Sequence, residues 1–218
     1  MTPARAARTP SVTKRIPKPR TSTRRKRDQL LAKAAALIAR KGYEAMSMRD
    51  LSSALGVSLA GMYHYFRSKE DLLFQLQHES FKALLAQQQE IAAQRATPEE
   101  RLRSLIVGHL AFYANHTNEL KVCTFEMESL GGALYEEVQE LRRRYYRVMT
   151  AAVSAIMDGP GGSRPPSRRS LNAALFTFGM LNWIFMWYDP ARHGSMRQIG
   201  DEMYALVYQG LGNGRRKT

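Results

Sequence analysis

Residues Gly56 to Leu73 read GVSLAGMYHYFRSKEDLL, with Tyr63, His64, Tyr65 and Phe66 in succession between a glycine turn and a Ser-Lys-Glu-Asp cluster. The punctuation is helical. Gly56-Val57 makes a short turn, and Ser58 is placed to cap a helix from Leu59 to about Phe66. Ser68 caps the next helix, with Glu70 and Asp71 in its first turn, where the helix dipole favours negative charge. Four consecutive large rings cannot all face inward on so short a helix. Met62 and Phe66, four apart, are therefore assigned to a core, Tyr63 and His64 to the outside, and Tyr65 to the boundary.

On the N-terminal side, Leu30, Leu31, Ala34, Leu37 and Ile38 recur at three- and four-residue intervals, one face of a helix from Arg24 to Lys41 that Gly42 stops. Ser47-Met48-Arg49-Asp50 is a capping signal for a second helix, about Met48 to Leu55, with Leu51 and Leu55 inward. Two short helices joined by a glycine turn form a helix-turn-helix unit. On the C-terminal side the helix begun at Ser68 runs to about Gln94. Thr97-Pro98-Glu99-Glu100 starts another, and helical patterns follow at about 98–116, 118–131, 133–157, 168–187 and 195–211. Sustained period-two alternation is missing, so the fold class is all-α, with Asp158–Arg169 (DGPGGSRPPSRR) as the clear internal loop. The expected units are a disordered basic arm (1–23), a three-helix head (24–66), a larger helical body (67–211) and a basic tail (212–218).

Of the 33 basic residues, ten lie within residues 1–27, which hold no acid, so most of the net charge of +14 sits at one end. Such a Pro- and Ser/Thr-rich arm buries too little apolar surface to offset its ordering entropy, and its expected partner is a polyanion. The apolar runs fall short of a membrane span and the start lacks a secretory core, which points to a cytoplasmic protein. The single cysteine, Cys123, is expected in the core.

The second helix of a helix-turn-helix lies in the major groove with its N-terminal residues near base edges. Leu59-Ala60-Gly61 is small enough for close approach, Tyr63 and Tyr65 offer uncharged donors to phosphate oxygens, and Lys69 reaches a further phosphate. Ser47-Met48-Arg49-Asp50-Leu51, Gly56-Val57-Ser58 and, above all, Met62 to Leu73 resemble the DNA-binding head of the TetR family of bacterial transcriptional regulators. The resemblance implies a homodimer that binds a palindromic operator in double-stranded DNA and represses until a small-molecule effector enters the body. Matched to the family motif, Ser47, Arg49, Ser58, Leu59, Ala60, Gly61, Tyr63, Tyr65 and Lys69 become the expected DNA contacts. Arg49 suits a guanine or a phosphate. Many family members carry Thr or Ser where Gly61 stands, which shifts the expected base readout toward Arg49 and toward thymine-methyl contact by Leu59 or Ala60.

Leu171–Pro190 (LNAALFTFGMLNWIFMWYDP) is apolar nearly all round and is expected to be buried on more than one side. With Met196–Leu211 it occupies the place of the family's four-helix dimer bundle. Its GMLNWIFMWYDP stretch resembles TetR-type regulators of fatty-acid, steroid or other acyl-CoA catabolism, which implies an apolar acyl pocket with basic residues near the CoA or carboxylate. Phe112, Phe125, Met127, Phe178, Asn182 and Trp183 are the expected pocket residues. Arg142, Arg143, Arg144 and Arg147 lie near Glu136, Glu137 and Glu140 on one helix. Mutual pairing is the plain reading, and anchoring of CoA phosphates the sharper one.

An enzyme is not expected. His109 and His116 are seven apart, two turns, too far for adjacent ligands, and Glu126 and Glu128 stand without a complete acid/base set. His78-Glu79 lacks the second histidine of a zinc-protease helix, and GPGGSRPP lacks a P-loop's Gly-Lys-Ser/Thr. No cofactor and no metal are called for. The rival function is a DNA-compacting or polyanion-binding protein that contacts phosphates without reading sequence.

Overall fold

The structure, a computed structural model, describes residues 21–159 and 165–212. The expected basic arm up to residue 20, residues 160–164 of the loop and the tail from 213 lie outside them. Ten α-helices are described: α1 (Thr21–Lys41), α2 (Met48–Leu55), α3 (Leu59–Tyr65), α4 (Lys69–Ala93), α5 (Pro98–Asn115), α6 (Thr117–Phe125), α7 (Gly132–Met157), α8 (Arg168–Trp183), α9 (Pro190–His193) and α10 (Met196–Gly212).

Their ends follow from local chemistry. Ser47 Oγ accepts the Asp50 amide at 3.1 Å while the Asp50 carboxylate accepts the Ser47 amide at 2.8 Å, a reciprocal box that starts α2. Gly56 ends α2 in the left-handed region at φ 65°, open to glycine at little cost. Ser58, Ser68 and Thr97 cap α3, α4 and α5 by accepting the amide three residues on, and Thr97 alone of these has the reciprocal bond, from its own amide to Glu100.

Three boundaries depart from the sequence pattern. α1 begins at Thr21 rather than Arg24. α6 stops at Phe125 and tightens into a 3-10 turn at Met127–Ser129, because Gly131-Gly132 restarts the chain as α7. α8 stops at Trp183, followed by a 3-10 turn at Ile184–Met186, because Asp189 and Pro190 cap and open α9.

Two cores share α4. One joins α1, α2 and α3 through Leu30, Ala34, Ile38, Leu51 and Met62 to Leu72 and Leu73, and continues into Val122 of α6 and Val138 of α7. Met62 and Phe66 are fully buried, each contributing roughly 1.5–3 kcal/mol by its burial. The second core is the body, where α4 packs along α7 and α5 along α10. Gly200 brings α10 close to α5: a Cβ there would stand 3.0 Å from Val107 Cγ2 and 3.2 Å from its Cα.

α8 departs from the all-round burial expected of it. Ala174, Thr177, Leu181 and Ile184 face the core, whereas Phe176 is 71% and Trp183 53% exposed, and Leu206 of α10 is 69% exposed. The apolar excess is thus an outward face shared by two helices. Among the described residues no helix is long and apolar enough to cross a membrane.

Candidate functional site

The head presents α3 with its apolar residue Met62 inward and Tyr63, 50% exposed, outward beside exposed His64 and Ala60. Ser47 and Ser58 are exposed, but each hydroxyl already serves as a cap acceptor. Ser47 Oγ also donates to Asp50 Oδ2 at 2.6 Å. That bond and the backbone bond hold the Asp50 carboxyl below the usual carboxylate range. Arg49 is exposed on the first turn of α2. Leu59 and Tyr65 are half-buried and pack against the head core.

Gly61 has a reason inside the protein as well as any outside it. A Cβ would come within 2.9 Å of Val57 Cγ1 and 3.1 Å of Ser58 Oγ, so the bare backbone lets the helix close on its own turn. Lys69 stands over the Tyr43 ring, Nζ 4.0 Å from the centroid, and 3.7 Å from the exposed Glu44 carboxylate. An ion pair so open to water is weak, and it holds the ammonium near the start of α4.

The body holds a partly open cavity of about 360 Å³ between α4, α5, α6, α7 and α8. Its walls are mostly apolar, from Phe81, Leu84, Tyr113, Leu120 and Phe178, with Thr124, Gln139, Arg142, Arg143 and Asn182 as polar points. Met127, Phe178 and Asn182, three of the expected pocket residues, line it together. The other three are placed elsewhere. Phe112 is buried and stacks on His116 at 4.1 Å, Phe125 is 57% exposed and meets Phe185 edge-on, and Trp183 lies in an outer groove with Met180, Met203 and Leu206.

Sequence reasoning missed Phe81, Tyr113 and Tyr145 at the cavity. Their helices supply apolar residues to every neighbour, and periodicity does not say which neighbour leaves a gap. Tyr145 hydrogen-bonds the fully buried His109, whose ring stacks on it at 5.8 Å. Burial pulls the His109 pKa down to about 3, so the imidazole is neutral. Burial likewise lifts the Cys123 thiol to about 12, leaving no thiolate nucleophile.

Cavity and head share Phe81 and Cys123, which line the one and pack in the core of the other, and a polar link adds to them. Glu126, between Thr124 and Met127 of the cavity wall, accepts the Tyr43 amide at 2.9 Å through its carboxylate. Its carbonyl accepts Gln77 Nε2 at 2.7 Å, and its other carboxylate oxygen accepts Ser129 Oγ at 3.0 Å. Tyr43 is the residue under Lys69, so cavity wall and helix-turn-helix lie a few contacts apart.

Residues 30–76 match the model for bacterial regulatory proteins of the tetR family, and residues 95–211 that for the tetracyclin repressor-like C-terminal domain. The HTH-type transcriptional repressor KstR2 of Mycobacterium tuberculosis is 27% identical over 188 residues, 85% of this chain and 92% of that one. The fatty acid metabolism regulator protein of Bacillus subtilis is 26% identical over 121 residues, 56% of this chain and 62% of its own. Among solved structures, the TetR regulator PfmR from Thermus thermophilus has a TM-score of 0.73 at 26% identity, covering 84% of this chain and 98% of that one. AibR, solved with isovaleryl coenzyme A and operator DNA, shares the fold at a TM-score of 0.73 and 24% identity, covering 84% and 97% of the two chains. These relatives are regulators rather than enzymes, and the match to the C-terminal model alone spans more than half of the sequence: the chain belongs to the TetR family of bacterial regulatory proteins.

Proposed function

We propose that the protein is a cytoplasmic homodimeric repressor that reads a palindromic operator with residues 24–66 and is released when an amphipathic effector occupies the body, residues 67–211. The observation that carries this reading is the connection of an apolar cavity to the helix-turn-helix through Glu126 and Tyr43. A protein that only coats phosphates has no use for such a link. Arg49, Ala60 and Tyr63, exposed on α2 and α3, are the proposed core of the DNA contact, with Ser47, Ser58, Leu59, Gly61, Tyr65 and Lys69 around them. The outward apolar face of α8 and α10 is the proposed dimer surface, since a patch of this kind on a water-soluble chain marks an interaction site.

The relatives named for steroid and fatty-acid control, with the neighbour that carries an acyl-CoA, favour lipid or other acyl-CoA catabolism genes as the target. Selection of bound sequences from random duplex DNA at physiological salt tests the reading. The wild type is expected to recover a palindromic motif, and Tyr63→Ala to recover it weakly or not at all. Equal enrichment of all sequences by the wild type would contradict the proposal and favour the phosphate-coating alternative.

A further inference from the structure

The four arginines of α7 do not share one role. Arg143 pairs with Glu136 at 3.5 Å and Glu140 at 2.9 Å, and Arg147 pairs with Glu140 at 2.9 Å, all in exposed positions. Arg144 faces another side of the helix, toward His78 and Lys82. Arg142 lines the cavity with Arg143 but is the more buried of the two. It is half-buried on the cavity wall, with its guanidinium 5.5 Å from the Phe81 ring centre and only a long 3.4 Å bond to Gln139 Oε1.

No carboxylate of the described residues lies within ion-pairing distance of Arg142, and burial pulls its pKa below the ordinary arginine value. A guanidinium drawn out of water without a counter-charge is destabilising unless something supplies one. The rest of the wall offers no negative side chain: its other polar groups are Arg143, Thr124, Gln139, Asn182, the Cys123 thiol and tyrosine hydroxyls amid apolar surface.

We infer that Arg142 is the anchor for an anionic group on an otherwise apolar ligand, so that this cavity takes amphipathic anions, a long-chain carboxylate or the phosphate of its CoA thioester, in preference to neutral lipids. The inference rests on the reading of the cavity as the effector site and narrows its chemistry. It also narrows the anchor from the arginine cluster of α7 to Arg142, since the charge of Arg143 is already matched by Glu136 and Glu140.

The test is binding of decanoate, decanoyl-CoA and decanol to the full-length protein and to Arg142→Met, Arg142→Lys and Arg143→Met, by calorimetric titration. The wild type is expected to bind at least one of the two anions about tenfold or more tighter than decanol, the worth of one charge-assisted hydrogen bond. Arg142→Met should erase that gap and leave decanol binding unchanged, Arg142→Lys should retain part of it, and Arg143→Met should keep it whole. The anion that loses more in Arg142→Met is the one seated against the guanidinium. Unfolding of the ligand-free proteins supplies a second readout, since removing an unmatched cation should leave the Arg142→Met midpoint unchanged or raise it. Equal binding of anions and alcohol, or a gap that survives Arg142→Met, would overturn the inference while leaving the cavity a lipid site. Failure of all three probes to bind would overturn the effector-cavity reading itself.

Discussion

His109 shows how a single side chain is set by where it lies. It is fully buried, its Nε2 has no partner among the described residues, and its pKa falls from 6.5 to about 3 through burial. The unfolded chain therefore binds a proton between these values that the folded chain refuses. Stability from this residue is fully present above about pH 6.5 and declines as the pH falls toward 3, with a limiting slope of about 1.4 kcal/mol per pH unit. Chemical denaturation at pH 7 and pH 5 should show the loss in the wild type and a flatter response in His109→Gln, whatever that variant does to stability at pH 7. The division of the aromatic run was legible in the sequence, because adjacent helical positions point in different directions and Met62 and Phe66 share one face. The distinction between Arg142 and Arg143 was not. Spacing along α7 fixes their angle to one another but not that, of two arginines at the cavity, Glu136 and Glu140 match only Arg143.

Capping explains why so many boundaries were legible. Ser47, Ser58, Ser68 and Thr97 each satisfy an amide that would otherwise be orphaned at a helix start, a local effect that sequence contains in full. The ends of α6 and α8 depend on longer-range or competing signals, and there the pattern ran several residues past the observed stops. The α7–α8 junction is held by a device that spacing alone does not disclose. Asp158 Oδ2 accepts Ser154 Oγ and Ser170 Oγ, each at 2.7 Å, and the Ser167 amide at 3.2 Å. Slight burial raises its pKa, but the serine bonds outweigh it and hold the carboxyl at about 2, against an ordinary 3.8. Its contribution is present above about pH 3.8 and is lost as the pH falls through about 2. Near neutral pH, Asp158→Ala should lower stability by about 1 kcal/mol, a modest figure because the group is open to solvent. The shift of the denaturation midpoint measures it.

In the whole molecule, apolar surface gathers in two places, a partly open cavity in the body and an external face on α8 and α10. Sequence composition announced their sum, in the apolar run from Leu171 to Pro190, without apportioning it, which is why Trp183 was expected in the pocket and stands outside it. Charge placed at the centre of the outer face, in the double variant Phe176→Glu/Leu206→Glu, should convert the proposed dimer to a folded monomer by sedimentation, with helical content retained. For the basic N-terminal arm, the proposed role is attraction to phosphate that depends on salt but not on sequence. The central claim is that residues 47–69 of the head read DNA and that the arm only strengthens the grip. The most direct measurement is therefore sequence selection with the chain lacking residues 1–20, beside the full chain, across a salt series. The same palindromic motif, bound more weakly and with a shallower dependence on salt, is the expected result; loss of all sequence preference on removing the arm would contradict it.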